Sequence, residues 1–386
     1  MKIGVSLFAQ NYTDWDRFEA LERDPTRAWE PPKIPDSQIY REQFQLGHLV
    51  EPLGFDSLWT VEHHFTPYTM VNNPFQLLSY FAGVTEKIEM GTMVVVAPWH
   101  DPIRVVEQII ALDYMLDGRK MKIGFGRGLG DREFGGLRID QNESRERFLE
   151  TIEIVRKALG SEWFEHDGQH YKIPRLSMRP QPRVEGLADQ LYCSWGSPST
   201  LPLAANAGLK PMFIPSKPWE GYRDELVQFN EIRQSNGLEK ERATSVCWIY
   251  CAETEEQALA EAGQYMAEYG NSAERHYKLL GDHFKDLKDY DHYAQMSELM
   301  RKAKAEAALS ENEVPKSVYL ENHVWGTPEM CIEKLKAINE KMGVEELIGV
   351  FSFGSMPVEA AEKSMRLFAK EVLPTAHAIE LAPVPV

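Results

Sequence analysis

Residues 121–134 read MKIGFGRGLGDREF, and the rest of the chain is organised around them. Met121, Ile123 and Phe125 alternate with small or polar residues, the period of a short strand. Gly124, Gly126, Gly128 and Gly130 follow at every second position, and Arg127 sits inside that run. Glycine lets backbone approach a ligand closely and take up positive φ. A strand feeding a Gly-Arg-Gly turn therefore suits an anionic head group, most often a phosphate. Neither common nucleotide fingerprint is present: the third glycine comes one residue too early for GxGxxG, and no GK[ST] follows. The same residues read equally well as a tight strand-to-helix turn with a solvated arginine, and this stretch alone leaves both readings open.

Outward from that strand the chain alternates. Upstream, strands are expected at 3–8, 55–61 and 88–96, with helical spacing over 39–53, 74–84 and 103–116 between them. Downstream come a helix over 144–159 with Asn142 as its N-cap, a hairpin or loop excursion over 163–182, and a strand over 190–195. A helix over 198–207, a short strand over 211–214, a helix over 221–235, a strand over 244–252 and a helix over 255–269 follow. Helices over 329–341 and 358–372 flank the last strand, 346–351. The strand candidates thus number eight, near residues 3, 56, 90, 122, 191, 212, 246 and 348. Eight βα units are the arithmetic of a TIM (β/α)8 barrel, an α/β fold, with a doubly wound open sheet as the alternative. A barrel needs about 250 residues. The excess falls in an elaborated loop after strand one (10–36), the 163–182 excursion, and a helical insertion after strand seven (271–322) read as a closing lid.

The expectation is one barrel domain over 1–386 with loop insertions, since no shift in composition marks a boundary. Apolar residues at 43% and charged residues at 26% support a packed core. A net charge of −17 opposes nucleic acid and anionic membrane surfaces as partners. Cys193, Cys247, Cys251 and Cys331 form no CxxC pair and read as buried reduced thiols, which agrees with a cytoplasmic setting. No signal-like segment and no run of about 18 apolar residues appears, so a soluble protein is expected.

In a barrel the active site lies where strands end. Strand two ends at Glu62-His63-His64-Phe65, strand three at Pro98-Trp99-His100, strand four at Gly126-Arg127-Gly128, and strand five at Trp195-Gly196-Ser197-Pro198-Ser199-Thr200. Ser197, Ser199 and Thr200 precede a helix whose first N–H groups are free, a phosphate cradle. The segment is equally an ordinary N-cap, Ser197, with Pro198 at the first helical position, and both can hold together. Adjacent histidines on a strand end point to opposite sides, so one of His63 and His64 reaches a site and suits a general base at neutral pH. Without HxH, HExxH or a matching carboxylate cluster, no metal is expected. Phe65, Trp99, Trp195 and Trp248 are nominated to line an apolar substrate pocket, though each alone reads as core.

GFDSLWTVEHHF (54–65), GTMVVVAPWHDPIRVVE (91–107), LDYMLDGRKMKIGFGRG (112–128), WGSPST (195–200) and HVWGTPEMCIEKL (323–335) together resemble the bacterial luciferase-like family, flavin-dependent monooxygenases on a TIM barrel. The likeness runs in order through nearly the whole chain. It implies that Arg127 holds a flavin phosphate, helped by Arg145, Ser197 and Thr200, with Gly128 and Gly196 beside it. It implies that Met93-Val94 lies under the isoalloxazine, joined by a non-proline cis peptide, and that His63 is the active-site histidine with Glu62 and His64 nearby. Three departures stand out against luciferase itself. Gly126 replaces a reactive cysteine, Gly196 a glutamate and Gly130 a tyrosine, the last leaving extra room beside the cofactor. They point away from light emission and toward an ordinary oxygenase.

The resemblance implies a two-component monooxygenase that takes reduced FMN (FMNH2) from a separate NAD(P)H:flavin reductase and uses O2 on a small apolar organic substrate. It also implies a homodimer. A hydride-transferring enzyme using deazaflavin F420 on the same barrel, and a non-catalytic flavin-binding protein, are the alternatives.

Overall fold

The strands of the computed structural model, which describes residues 1–214, 216–306 and 320–385, are in chain order β1 Lys2–Leu7, β2 Ser57–Thr60, β3 Glu89–Val96, β4 Met121–Gly126, β5 Phe164–Asp167, β6 Lys172–Leu176, β7 Leu191–Ser194, β8 Lys210–Phe213, β9 Thr244–Cys251, β10 Val324–Gly326 and β11 Glu346–Val350. Eight of them run parallel in the order β9-β11-β1-β2-β3-β4-β7-β8. β8 pairs back onto β9 through Met212↔Thr244 and Phe213↔Ser245, which closes the barrel and excludes the open sheet. These are the eight expected strands. β4 and β9 are buried along their whole lengths, as parallel strands covered on both faces must be. β5 and β6 form the antiparallel excursion. β10, too short to show a period, adds to the far end of β9 through Val324↔Ile249 and Gly326↔Cys251.

Side chains fill the barrel axis. At its N-terminal end Lys122 pairs with Glu346, which also accepts from Trp59 Nε1 at 3.1 Å. Above them the Trp59 ring occupies the space that a Cβ on Gly91 would need, at 2.2 Å. A Cβ on Gly124 would meet the Thr92 carbonyl at 2.3 Å, so the first glycine of the run serves barrel packing and not a ligand.

The helices begin where capping chemistry allows. Asp101 accepts from Ile103 N and Arg104 N to start the helix Pro102–Met115. The helix Ser144–Gly160 departs from expectation at its entry. A 3-10 turn, Gln141–Glu143, precedes it, and Asp140 caps that turn through Asn142 N. Asn142 instead accepts from Lys288 N at 2.9 Å, pinning the segment after strand seven.

The stretch after β1 is more helical than its sequence suggests, and the helix after β9 runs eight residues past its expected end at 269 into the expected helical insertion. The segment after β1 contains the helix Trp15–Arg23, docked by Trp15, whose Nε1 donates to Ser272 Oγ at 2.6 Å. The helix that begins at Glu255 runs on to Tyr277 and carries buried Asn271, Ser272, Glu274 and His276 over the rim. The 3-10 turn His283–Asp286 and the helix Asp291–Glu306 follow it. Residues 307–319 of the 271–322 insertion lie outside the described residues. No helix among the described residues is long and apolar enough to cross a membrane.

Candidate active site

His63 lies three residues beyond the end of β2 at Thr60. Its Nδ1 lies 3.1 Å from Glu133 Oε1, and its Nε2 lies 3.4 Å from the Tyr277 hydroxyl. Glu133 comes from the helix Asp131–Leu137 just after β4, and Tyr277 from the end of the long helix after β9. The same Glu133 oxygen accepts from His64 N at 2.9 Å. Its other oxygen lies 3.3 Å from His276 Nε2, while His276 Nδ1 lies 2.7 Å from Thr66 Oγ1.

Burial alone would raise the Glu133 carboxyl. His276 and His63 beside it outweigh burial and hold its pKa at about 2. Burial lowers the pKa of His276 against the pull of Glu133. The Glu133, His63 and His276 ligand atoms lie within 4.8 Å of one another, close enough to share a divalent ion. Hydrogen bonds join Glu133 Oε1 to His63 and His64 N, whereas Glu133 Oε2 and His276 Nε2 are buried without a hydrogen-bond partner among the described residues.

Glu62 and His64 face the other side. Glu62 Oε2 accepts from Val96 N at 2.7 Å, and Oε1 meets His100 Nε2 at 2.6 Å and His64 Nε2 at 3.1 Å. Glu62 thus ties the end of β2 to the end of β3 and does not reach the His63 group. The Met93–Val94 peptide is cis, and the β3–β4 register shifts between Thr92 and Val95.

The Arg127 guanidinium is buried. It lies 4.3 Å from the Tyr290 ring centroid, and Nη2 donates to the Asp289 carbonyl at 3.1 Å. Arg127 Nη1 is buried with no hydrogen-bond partner among the described residues. Arg145 approaches from the helix Ser144–Gly160. Its Nε lies 3.1 Å from Asp289 Oδ2, and Nη2 donates to Ser199 Oγ at 2.8 Å. Ser197 Oγ lies 2.9 Å from Ser199 Oγ and makes no capping bond, which leaves it as part of this group and not as a cap. Thr200 is buried beside them. The structure therefore brings Arg127, Arg145, Ser197, Ser199 and Thr200 to one corner of the rim.

The glycine departures do not leave free space. A Cβ on Gly130 would fall 2.5 Å from Glu133 Oε2, and one on Gly196 would fall 2.5 Å from the Tyr293 hydroxyl. The room expected beside Gly130 is occupied by the Glu133 side chain.

The four nominated aromatics separate. Trp248 joins a chain of rings toward His63. It lies 4.4 Å from Tyr269, whose hydroxyl meets that of Tyr68 at 2.6 Å, and Tyr68 lies 4.9 Å from His63. Trp99 packs on Phe134 and His64 at the strand-three end. Trp195 stacks on Phe229 of the helix Trp219–Ser235, away from the rim. Phe65 is 53% exposed and lies over Gly136. Glu133, His276, Tyr277, Asp289 and Tyr290 were not picked out in the sequence. The aromatic run Tyr290–Tyr293 was the one visible sign of the last pair.

The chain matches the family model for luciferase-like monooxygenases over residues 25–346. It is 26% identical over 358 residues to the alkanal monooxygenase alpha chain of Photorhabdus luminescens, covering 90% of this chain and 94% of that one. It is 25% identical over 343 residues to the flavin-dependent trigonelline monooxygenase, oxygenase component, of Acinetobacter baylyi, covering 87% and 90%. Among solved structures, the oxygenating constituent of 3,6-diketocamphane monooxygenase from Pseudomonas putida, in complex with FMN, matches with a TM-score of 0.68 at 20% identity over 99% of both chains.

Proposed function

Because the chain belongs to the luciferase-like monooxygenase family, we propose that it is the oxygenase of a two-component pair, taking reduced FMN from a separate NAD(P)H:flavin reductase and using O2 to oxygenate a small apolar organic substrate. The observation that carries this reading is the rim corner built by Arg127, Arg145, Ser197, Ser199 and Thr200. Its buried Arg127 Nη1 has no hydrogen-bond partner among the described residues. A buried cation with an open donor suits a phosphate dianion, so these residues fit the tail of FMN. Arg127 and Arg145 would supply the charge, Ser197 and Thr200 the hydroxyls, and Gly128 and Gly196 the close backbone, with Met93 and Val94 toward the ring. Bound there, reduced FMN supplies the electrons that activate O2.

The remaining work falls to side chains. Glu133 fixes His63 through Nδ1, which leaves Nε2, beside the Tyr277 hydroxyl, as the atom that exchanges a proton with the reacting centre. Tyr68, Tyr269 and Trp248 give that region an apolar, water-poor wall that suits an apolar substrate. The oxygenase component among the relatives supports a separate reductase. The same reading extends to a cytoplasmic homodimer. Four buried free thiols agree with a reducing compartment, and sedimentation equilibrium tests the dimer.

The test is turnover with an FMN reductase, NADH and O2 over a panel of apolar ketones, aldehydes, terpenes and aromatics. Substrate-dependent incorporation of one labelled oxygen atom is expected. Peroxide as the sole oxygen product with every compound would overturn the proposal. Titration with FMN and with deazaflavin F420 separates the hydride-transfer alternative, and FMN is expected to bind the tighter.

A further inference from the structure

Asp289 presents two acceptors to the same two arginines. Its carboxylate Oδ2 lies 3.1 Å from Arg145 Nε, and its carbonyl accepts from Arg127 Nη2 at 3.1 Å. The backbone reaches this arrangement at φ +67°, in the left-handed region that few non-glycine residues enter and that Asp and Asn tolerate best. The flanking residues hold the segment there. Lys288 N donates to Asn142 Oδ1 at 2.9 Å, Tyr290 Oη donates to the Gly128 carbonyl at 3.1 Å, and the Tyr293 hydroxyl lies against Gly196. A carboxylate of this chain thus stands among the groups read above as a phosphate site.

We propose that Asp289 is an internal anion that competes with the cofactor phosphate for Arg127 and Arg145, and so holds the affinity for a phosphorylated flavin below what the two arginines alone would give. The proposal rests on the FMN reading and adds to it a residue that sets how tightly the phosphate is held. A dianion with three acceptor oxygens can replace both Asp289 contacts and also reach the open Arg127 Nη1, which Asp289 leaves unmet. A flavin without phosphate has nothing to offer the arginines in exchange, so Asp289 stays paired and the dephosphorylated ligand gains nothing from the corner.

The experiment measures binding of inorganic phosphate, oxidised FMN and riboflavin to the full-length wild type, Asp289→Asn and Asp289→Gly at fixed ionic strength. Both substitutions tolerate the left-handed backbone, so folding is preserved in at least one of them. Asp291→Asn, on the exposed side of the same segment, is the control for general charge. Removing the Asp289 charge is expected to tighten phosphate and FMN about tenfold, the size of one partly buried ion pair. Riboflavin, and all three ligands with Asp291→Asn, are expected to stay within about twofold.

No gain for phosphate, or a riboflavin gain equal to that of FMN, would overturn the proposal, the second because it marks a general loosening of the segment. Phosphate gaining while FMN binds none of the proteins would remove the flavin reading and leave the competition standing. FMN bound equally by wild type and both Asp289 variants would do the reverse.

Discussion

Glu133 is the residue that His63 and His276 share, and its charge decides what they do. Glu133→Gln keeps the shape but cannot hold a charge. The expected result is a fall in oxygenation kcat of about 100-fold, the lower end of general acid–base effects, with FMN affinity within about twofold. Stopped-flow product formation and FMN titration separate the two. The carboxyl is held at about 2 in the folded state against 4.5 ordinarily. The stability it contributes is therefore present above pH 4.5 and is lost as pH falls through about 2. Thermal unfolding between pH 5 and 3 should show wild type losing stability that Glu133→Gln does not lose. Arg127→Ala is the companion test at the other corner. It should weaken FMN by roughly 2–5 kcal/mol if the charge pair is desolvated. Arg127→Lys should recover only part, since lysine keeps the charge without the planar fork. An Arg127→Ala protein that titrates with FMN like wild type would remove every flavin reading.

At the scale of elements, the ends of β2 and β3 are joined by Glu62 and His100. Burial would neutralise both groups, yet each holds the other charged. The Glu62 carboxyl is lowered, with His100 the main opposing influence, and the His100 imidazole is raised above 6.5 by Glu62. A raised histidine contributes stability that is complete below pH 6.5 and is lost as pH rises through its folded pKa. A Tm profile from pH 6 to 9 should therefore decline in wild type and flatten in His100→Asn. Elements also explain what was legible. Strands showed in the sequence as short apolar-rich segments between helical stretches, alternating in β4 and nearly continuous in β9, and their order then fixed which ends meet. His63, Arg127, Ser197 and Thr200 stood out in the sequence because strand ends form one rim, and the structure brings the last three to one corner of it. Trp195 was misplaced because residues at a strand end alternate between rim and helix layer, and only tertiary packing on Phe229 decides which. His276, Tyr277 and Asp289 lie on the segment after β9, where no period ties a residue to a strand end.

Across the whole molecule, the proposed flavin site and the buried Lys122–Glu346 pair occupy opposite ends of one barrel. Arg127 lies five residues beyond Lys122 along β4 and its exit, roughly 16 Å at the rise of a strand. Lys122 and Glu346 are buried at the N-terminal end, and Glu89 and Glu345 lie 3.9 Å from the same ammonium. Burial would lower the Lys122 pKa, but Glu346 and Glu345 raise it, so the ammonium is the counter-charge for a small acidic cluster. Lys122→Met fills much of the volume and leaves the buried Glu346 carboxyl without its counter-charge. Breaking such a pair from one side costs roughly 3–5 kcal/mol, whereas replacing both partners by apolar groups is often close to neutral. Lys122→Met should therefore lose about that much in urea unfolding, and Lys122→Met combined with Glu346→Leu should regain most of it. FMN affinity, measured below the transition, should not change in either protein, because the rim corner is set by the segments after β4, β7 and β9. A Lys122→Met protein as stable as wild type would mean that the pair is dispensable. One that is stable but binds FMN weakly would mean that the two ends of the barrel are not independent.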